Sequence, residues 1–539
     1  MPAVLKTEVV DVRVPPPAPP GPGPAINPWV IAGTVMLATF MEVLDTSVAN
    51  VALPHIAGSL SSSVDEATWV LTAYLVANAV VLPLSGWFST LFGRKRFYMG
   101  CVLLFTASSA LCGLAPSLPM LILFRVLQGL GGGALQPVSQ AILRETFPRE
   151  KQGIAMAVYG MGVVFAPVVG PTLGGWITDN YTWRWIFLIN VPVGVCSLLL
   201  TSLLIFDPPY LLRKTLRDGL KIDYIGIGLL ATGLGALEIM LDEGQRNDWF
   251  SSHGIVAAAV IAAIGLTGVV LWELRQKEPV VDFRLLKDRT FAVSTAAMFV
   301  LGFVLYGSTM ALPLFLQTLL GYTALQSGEA LSPGGLMIMV MMPIVGILLS
   351  KIQARWLIIF GLIASSAGLF QMSHWNTQIN FGHAVSARVV QSFGLAFLFV
   401  PINTVAFAFI SRAKTGYATG LINLARNIGG SSGIAICTTL IARREQFHQQ
   451  RLIEHLSPLD QPYQSALAGA RQMFITRGAD PAQAAAQAHG MIYNLVQQQA
   501  AMLSFNEVFF CLGVAFLAVL PLMLLLKKTG PVKGHVAME

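Results

Sequence analysis

The sequence predicts an all-α integral membrane protein with fourteen transmembrane helices, arranged as two six-helix halves plus an inserted helix pair, and three observations lead there. Hydrophobic residues make up 55% of the chain and charged residues 11%, against about 25% charged in soluble domains. Apolar runs able to cross a hydrocarbon core, which takes about 20 helical residues, fall at 29–54, 68–88, 97–115, 119–143, 153–177, 184–206, 223–242, 253–273, 291–319, 325–350, 356–373, 383–410, 417–441 and 503–526. Motifs of the first six spans also return in the last six. RVLQ at 125 recurs as RVVQ at 388, each followed by glycine and then proline (Pro137, Pro401), and the VALP closing span 1 is echoed by ALP at 311–313. The offsets, 263 and 259, agree within four residues, which leaves spans 7 and 8 as the insertion.

Lys and Arg set the expected orientation. With a cytoplasmic N-terminus, the inside loops carry Arg94, Lys95, Arg96, Arg149, Lys151, Arg213, Lys214, Arg217, Lys221, Arg275, Lys277, Arg284, Lys287, Arg289, Lys351, Arg355, Arg412 and Lys414, with Lys527 and Lys528 after the last span. The short outside loops hold almost only Arg246. Both termini are then cytoplasmic, and the span count is even. The expected divisions are a disordered Pro-rich cytoplasmic tail at 1–28, a first half at 29–206, the inserted pair with flanking basic segments at 207–290, a second half at 291–526 and a cytoplasmic tail at 527–539. The net charge of +7 is spread over these loops, which fits membrane lipids and not nucleic acid. All five cysteines lie within spans and read as packing residues, and no His or Cys spacing suggests a metal or cofactor.

Span 1 carries Glu42 and Asp45 near its middle. An ionised acid there costs about 2.5 to 3.5 kcal/mol on insertion scales, so both must face protein or water. Three residues apart, they project from nearly one side, and proton binding within the membrane is the functional expectation. The alternative is a structural pair held by a buried base. Asn50 in span 1 and Asn78 in span 2 are candidate cavity residues. Span 2 runs into GWFSTLFGRKR, where Gly86 and Gly93 permit close approach and a tight reversal and Arg94 begins a basic cluster. Span 4 places Arg125 and Gln128 on one face; a buried Arg demands a counter-ion, and the span 1 acids are the nearest in chain order. The alternative has Arg125 reaching the membrane interface.

Span 5 repeats small residues every fourth position, at Gly162, Ala166, Gly170 and Gly174, with Pro167 and Pro171 between them. Such a stripe lets a second helix approach closely in lipid, and the prolines invite a kink. It suits a rocking interface or a static seam. Glu238 and Asp242 near the outer end of span 7 are read first as water-exposed, with proton or cation binding as the alternative. Arg388, Asn403, Asn423 and Asn427 put polar groups into the second half, beside Arg426. The loop at 442–502 is the one large hydrophilic stretch and falls outside; Asp480 and Pro481 make a good helix start that runs on into span 14.

Over 29–528 the chain resembles the fourteen-helix drug:proton antiporters of the major facilitator superfamily, in the EmrB/QacA subfamily. The residues that carry the resemblance are LDTSVANVALP, GWFSTLFGRKR, RVLQGLGGG, GVVFAPVVGPTLGG, WRWIFLINVPVG and the LDEGQRNDWFSS turn. Thr90 departs from the family's loop motif, which usually has an acid there, and this puts a charge relay through that loop in doubt. The resemblance implies a major facilitator fold and proton-driven efflux of hydrophobic small molecules across a bacterial inner membrane. Asp45, Glu42 and Arg125 would couple protons, and the outer loop would dock a periplasmic adaptor leading to an outer-membrane channel. A dedicated exporter of one metabolite or siderophore, or an uptake symporter, is the alternative. No nucleophile and base pair within the spans suggests an enzyme.

Overall fold

A computed structural model describes residues 27–207, 223–411, 414–454, 456–457 and 459–527. The Pro-rich tail at 1–26, the basic segment with Arg213, Lys214, Arg217 and Lys221, and Arg412 and Lys528 lie outside the described residues, as do the side chains of Arg149 and Pro171.

The chain is helical at every expected span. In the first half the helices are α1 (Pro28–Ser59), α2 (Trp69–Phe92), α3 (Arg94–Leu114), α4 (Leu118–Gly132) with α5 (Leu135–Thr146), α6 (Arg149–Asn180) and α7 (Asn190–Leu204). The inserted pair is α8 (Tyr224–Glu243) and α9 (His253–Glu273). The second half comprises α10 (Arg289–Leu319), α11 (Ala324–Leu348), α12 (Ala354–Met372), α13 (Phe381–Ala406), α14 (Thr415–Glu454), α15 (Gln461–Thr476) and α16 (Pro481–Ala518). Among the described residues twelve spans are long and apolar enough to cross a membrane, and the bent α6 makes thirteen. The remaining expected span, α14, is less apolar because its inner part is wedged between α2 and α10, where polar side chains meet protein and not lipid.

Local chemistry explains the ends and bends. Asn27 caps α1 by accepting from the Trp29 amide, and Pro28 occupies the first turn, where its missing N–H is no loss. Span 1 does not stop at Pro54, as the sequence suggests; α1 continues to Ser59, since a proline removes one backbone bond and lipid offers the chain no alternative partner. Gly93, with φ of 82°, turns the chain between α2 and α3. Span 4 breaks at its glycine run, where Gly131 meets Phe105 and Gly133 meets Asn78 too closely for any side chain. The 43° bend in α6 separates Lys151–Pro167 from Thr172–Asn180, so it falls across the two prolines.

The halves meet along two seams, α2 against α14 and α6 against α11. A methyl group on Gly86 would sit 2.6 Å from the Gly416 backbone, and one on Gly346 would sit 3.2 Å from the Gly153 carbonyl oxygen. The Gly162, Gly170 and Gly174 stripe faces elsewhere. It packs on α1 at Met36, Ser47 and Val48, within its own half; the seam between halves uses Gly153 and Gly160 of the same helix, against Gly346 and Met342.

Arg94 is 2% exposed and ion-paired with Glu145 at 2.5 Å. Two sequence readings need correction. Cys196 and Cys511 are not packed inside but lie on outward helix faces, where lipid is as apolar as a core. The ALP echo at offset 259 is one helical turn out of register with the 263 offset of the RVLQ repeat.

Candidate functional site

Span 1 is helical throughout, so Glu42 and Asp45 stand almost one turn apart, both buried. Each has its own set of partners. Asp45 Oδ2 accepts from Arg125 Nη1 at 2.5 Å, and its Oδ1 accepts from Gln128 Nε2 at 2.9 Å and Asn190 Nδ2 at 2.8 Å. Arg125 also donates from Nη1 to Gln128 Oε1 at 2.8 Å and from Nε to the Val70 carbonyl at 2.9 Å, and it lies 4.3 Å from the Tyr74 ring centre. Arg125 is fully buried, which excludes the interfacial placement. Every Asp45 oxygen is engaged, and Arg125 takes its direction from α2 and α4 together.

Glu42 receives neutral donors only. Tyr74 Oη and Asn78 Nδ2 donate to Oε1, each at 3.2 Å, and Gln136 Nε2 donates to Oε2 at 2.8 Å. The oxygen of the same Gln136 amide accepts from Arg426 Nη2. One side chain of α5 thus links a carboxylate of the first half to a cation of the second. Two further positions of α5, spaced four apart, complete this face. Gln140 and Asn423 exchange amide bonds at 3.3 and 2.9 Å, and Arg144 donates to the Asn403 carbonyl at 3.3 Å while lying 3.6 Å from the Phe407 ring centre.

Asp45, Arg125, Gln128 and Glu42 with Asn78 are therefore brought together. Asn423 joins the contact between halves. Asn403 bonds back to Phe399 at 2.9 Å, and its Oδ1 has no partner. Asn427 is half-buried, and Asn50 is exposed, away from the cluster. Glu238 is not wetted, being buried where α8 leans on the seam between α2 and α14. Asp242 is exposed and accepts from Thr72, and Glu329 is exposed. Tyr74, Asn190, Gln136, Gln140 and Arg144 escaped the sequence reading. The i, i+4, i+8 spacing of the last three was a legible sign of one polar face, whereas Asn190 and Tyr74 are lone polar groups with no pattern.

Arg388 sits where the repeat demands. Its Nη1 donates to Gln391 Oε1 at 2.8 Å, and Gln391 Nε2 donates to Ser308 Oγ at 2.8 Å. That copies the relation of Arg125 to Gln128 and of Gln128 to Asp45, each residue shifted by 263 positions.

The α14–α16 extension is helical on both sides, with Asp480 capping α16 at the Ala482 amide, 3.1 Å away. A hollow lined by Tyr463, Leu467, Arg471, Ile475 and His489 lies on it, remote from the buried carboxylates.

Comparison with known proteins follows the same lines. The model of the Major Facilitator Superfamily matches residues 35–434. The Multidrug export protein EmrB of Escherichia coli (strain K12) is 36% identical over 488 residues, 90% of this chain and 93% of that protein. The Fatty acid resistance protein FarB of Neisseria gonorrhoeae is 36% identical over 500 residues, 93% of this chain and 96% of that protein. Among solved structures, a double-tryptophan mutant of XylE superposes with a TM-score of 0.61 at 13% identity, over 93% of this chain and 96% of that one; it supports the fold alone.

Proposed function

The chain belongs to the Major Facilitator Superfamily, and on that premise we propose that it exports lipophilic small molecules, several drugs among them, in exchange for protons. It is a multi-pass membrane transporter and not an enzyme. The names of EmrB and FarB point to multiple drugs and to fatty acids, which share apolar bulk. The observation that carries proton coupling is Asp45: a carboxylate buried with Arg125, Gln128 and Asn190 in the first span. An intramembrane acid is expensive unless its charge is used.

In the cycle we propose, a proton reaching Asp45 from outside loosens its hold on Arg125, which frees α4 and α2 to shift relative to α1. Glu42 feels the same motion through Gln136 and Arg426, so the two halves respond together. Drug bound from the inside or the inner leaflet competes with the protonated state for one alternating pathway. One charge moving down about 100 mV contributes about 2.3 kcal/mol, roughly a fifty-fold gradient of a neutral drug. The helical α14–α16 extension would meet a periplasmic adaptor and, through it, an outer-membrane channel, with both chain termini cytoplasmic and the protein in the bacterial inner membrane.

Everted membrane vesicles test the reading. Accumulation of a lipophilic dye that rises with an imposed inward-acid pH gradient and collapses with a protonophore supports it. Accumulation indifferent to the gradient removes proton coupling, and dye movement in the opposite direction makes the protein an importer.

A further inference from the structure

The two arginines of the repeat differ in one respect. Arg125 has a carboxylate and Arg388 has none: the position equivalent to Asp45, 263 residues on, is Ser308. Arg388 is 5% exposed, yet its bonds go only to neutral groups, Gln391 Oε1 at 2.8 Å and Thr309 Oγ1 at 3.3 Å. Among the described residues no acid lies within ion-pair distance of it. Arg388 Nε and the neighbouring Ser392 Oγ are both buried without a partner. α11 passes this point with Gly334, where a methyl group would stand 3.4 Å from Arg388 Nε and 2.6 Å from Ser392 Oγ. The α11 backbone therefore closes directly over Arg388 Nε and Ser392 Oγ, with no room there even for a methyl group, and leaves the Nη side of the guanidinium, which bonds Gln391 and Thr309, as the side an anion can reach.

We propose that Arg388 is the docking point for the carboxylate of a lipophilic acid carried as substrate, received at its Nη atoms beside Gln391 and Thr309. The substrate's anion would take the place that Asp45 fills in the first half. An unpaired guanidinium in low dielectric is costly, and an anion that reaches it gains charge-assisted hydrogen bonds without displacing a resident acid. This inference rests on the export reading and assigns it a substrate class.

The test uses the full-length chain reconstituted in phosphatidylcholine vesicles, with a fluorescent fatty acid and its neutral amide as paired probes. The readout is the ratio of their saturable, gradient-driven transport rates. Ser308→Asp restores the missing acid and should occupy Arg388 from within, lowering the acid-to-amide ratio by about 10- to 100-fold, the worth of one charged hydrogen bond. Arg388→Gln should do the same, Arg388→Lys should retain part of the preference, and Ser308→Asn, of similar bulk without charge, should keep it. A ratio unmoved by Ser308→Asp and Arg388→Gln overturns the proposal. So does equal loss of both probes in well-inserted variants, which makes Arg388 structural, or transport of the amide alone by the wild type. Phosphatidylglycerol that blocks the acid without being carried would identify a lipid headgroup as the occupant and overturn it also. Transport of neither probe by the wild type removes the exporter reading itself.

Discussion

Asp45 and Arg125 lie 2.5 Å apart, and neither side chain is more than 1% exposed. A pair so deeply buried is held together by more than attraction. Losing one partner leaves a stranded charge, which typically costs 3–5 kcal/mol, so any change of protonation at Asp45 must be felt along α1, α2 and α4 at once.

Asp45→Asn presents Arg125 with the charge state that a protonated aspartate would present. The variant should insert normally and still exchange substrate down its gradient, while uphill, gradient-driven efflux falls to the level of empty vesicles. Wild-type accumulation in everted vesicles containing this variant would take Asp45 out of the coupling role.

Gln136→Leu cuts the hydrogen-bonded bridge that Gln136 makes between Glu42 and Arg426. Buried polar groups left unbonded cost about 1–3 kcal/mol each. Thermal melting in detergent should fall and transport should slow; an unchanged melting temperature would mean the bridge contributes nothing to the contact between halves.

Gly153 and Gly346 bring the backbones of α6 and α11 together, with a methyl group on either one 3.2 to 3.4 Å from the other's carbonyl oxygen. Paired Gly153→Cys and Gly346→Cys substitutions, in a chain without the exposed Cys196 and Cys511, should form a disulfide under oxidation. Transport should stop and return with reductant, because the halves must part at this seam. Full transport by the cross-linked protein would mean that this seam stays closed throughout the cycle.

Asp288 caps α10 by accepting from the Phe291 amide at 2.9 Å and meets Lys527 at 3.1 Å. Partial burial pulls its pKa upward, but the Phe291 bond and Lys527 outweigh it and hold the carboxyl below its usual value. A depressed folded-state pKa stabilises the protein above the unfolded value, and that contribution is lost as pH falls through the folded one. Asp288→Ala should therefore cost about 1 kcal/mol near neutrality, with the gap to wild type closing in acid. Melting curves from pH 7 to pH 3 report it, and a gap that persists at the acid end would assign the loss to packing.

The sequence by itself determined the membrane class, the helical spans, the parallel repeat and the two acids of span 1, because apolar length and short motifs are local properties of a chain. It also placed Arg125 opposite those acids, since a buried guanidinium requires a counter-ion. Only the tertiary structure decided that Asp45 takes Arg125 while Glu42 takes neutral donors, that the glycine stripe of α6 faces α1, and that Glu238 is covered. Those outcomes depend on which face of each helix meets which neighbour, and helical spacing fixes faces relative to one another but not to the rest of the fold. The same limit hid Ser308: no local feature marks it, and its meaning appears only when the hydrogen bonds of Gln391 and Gln128 show it standing in the position of Asp45.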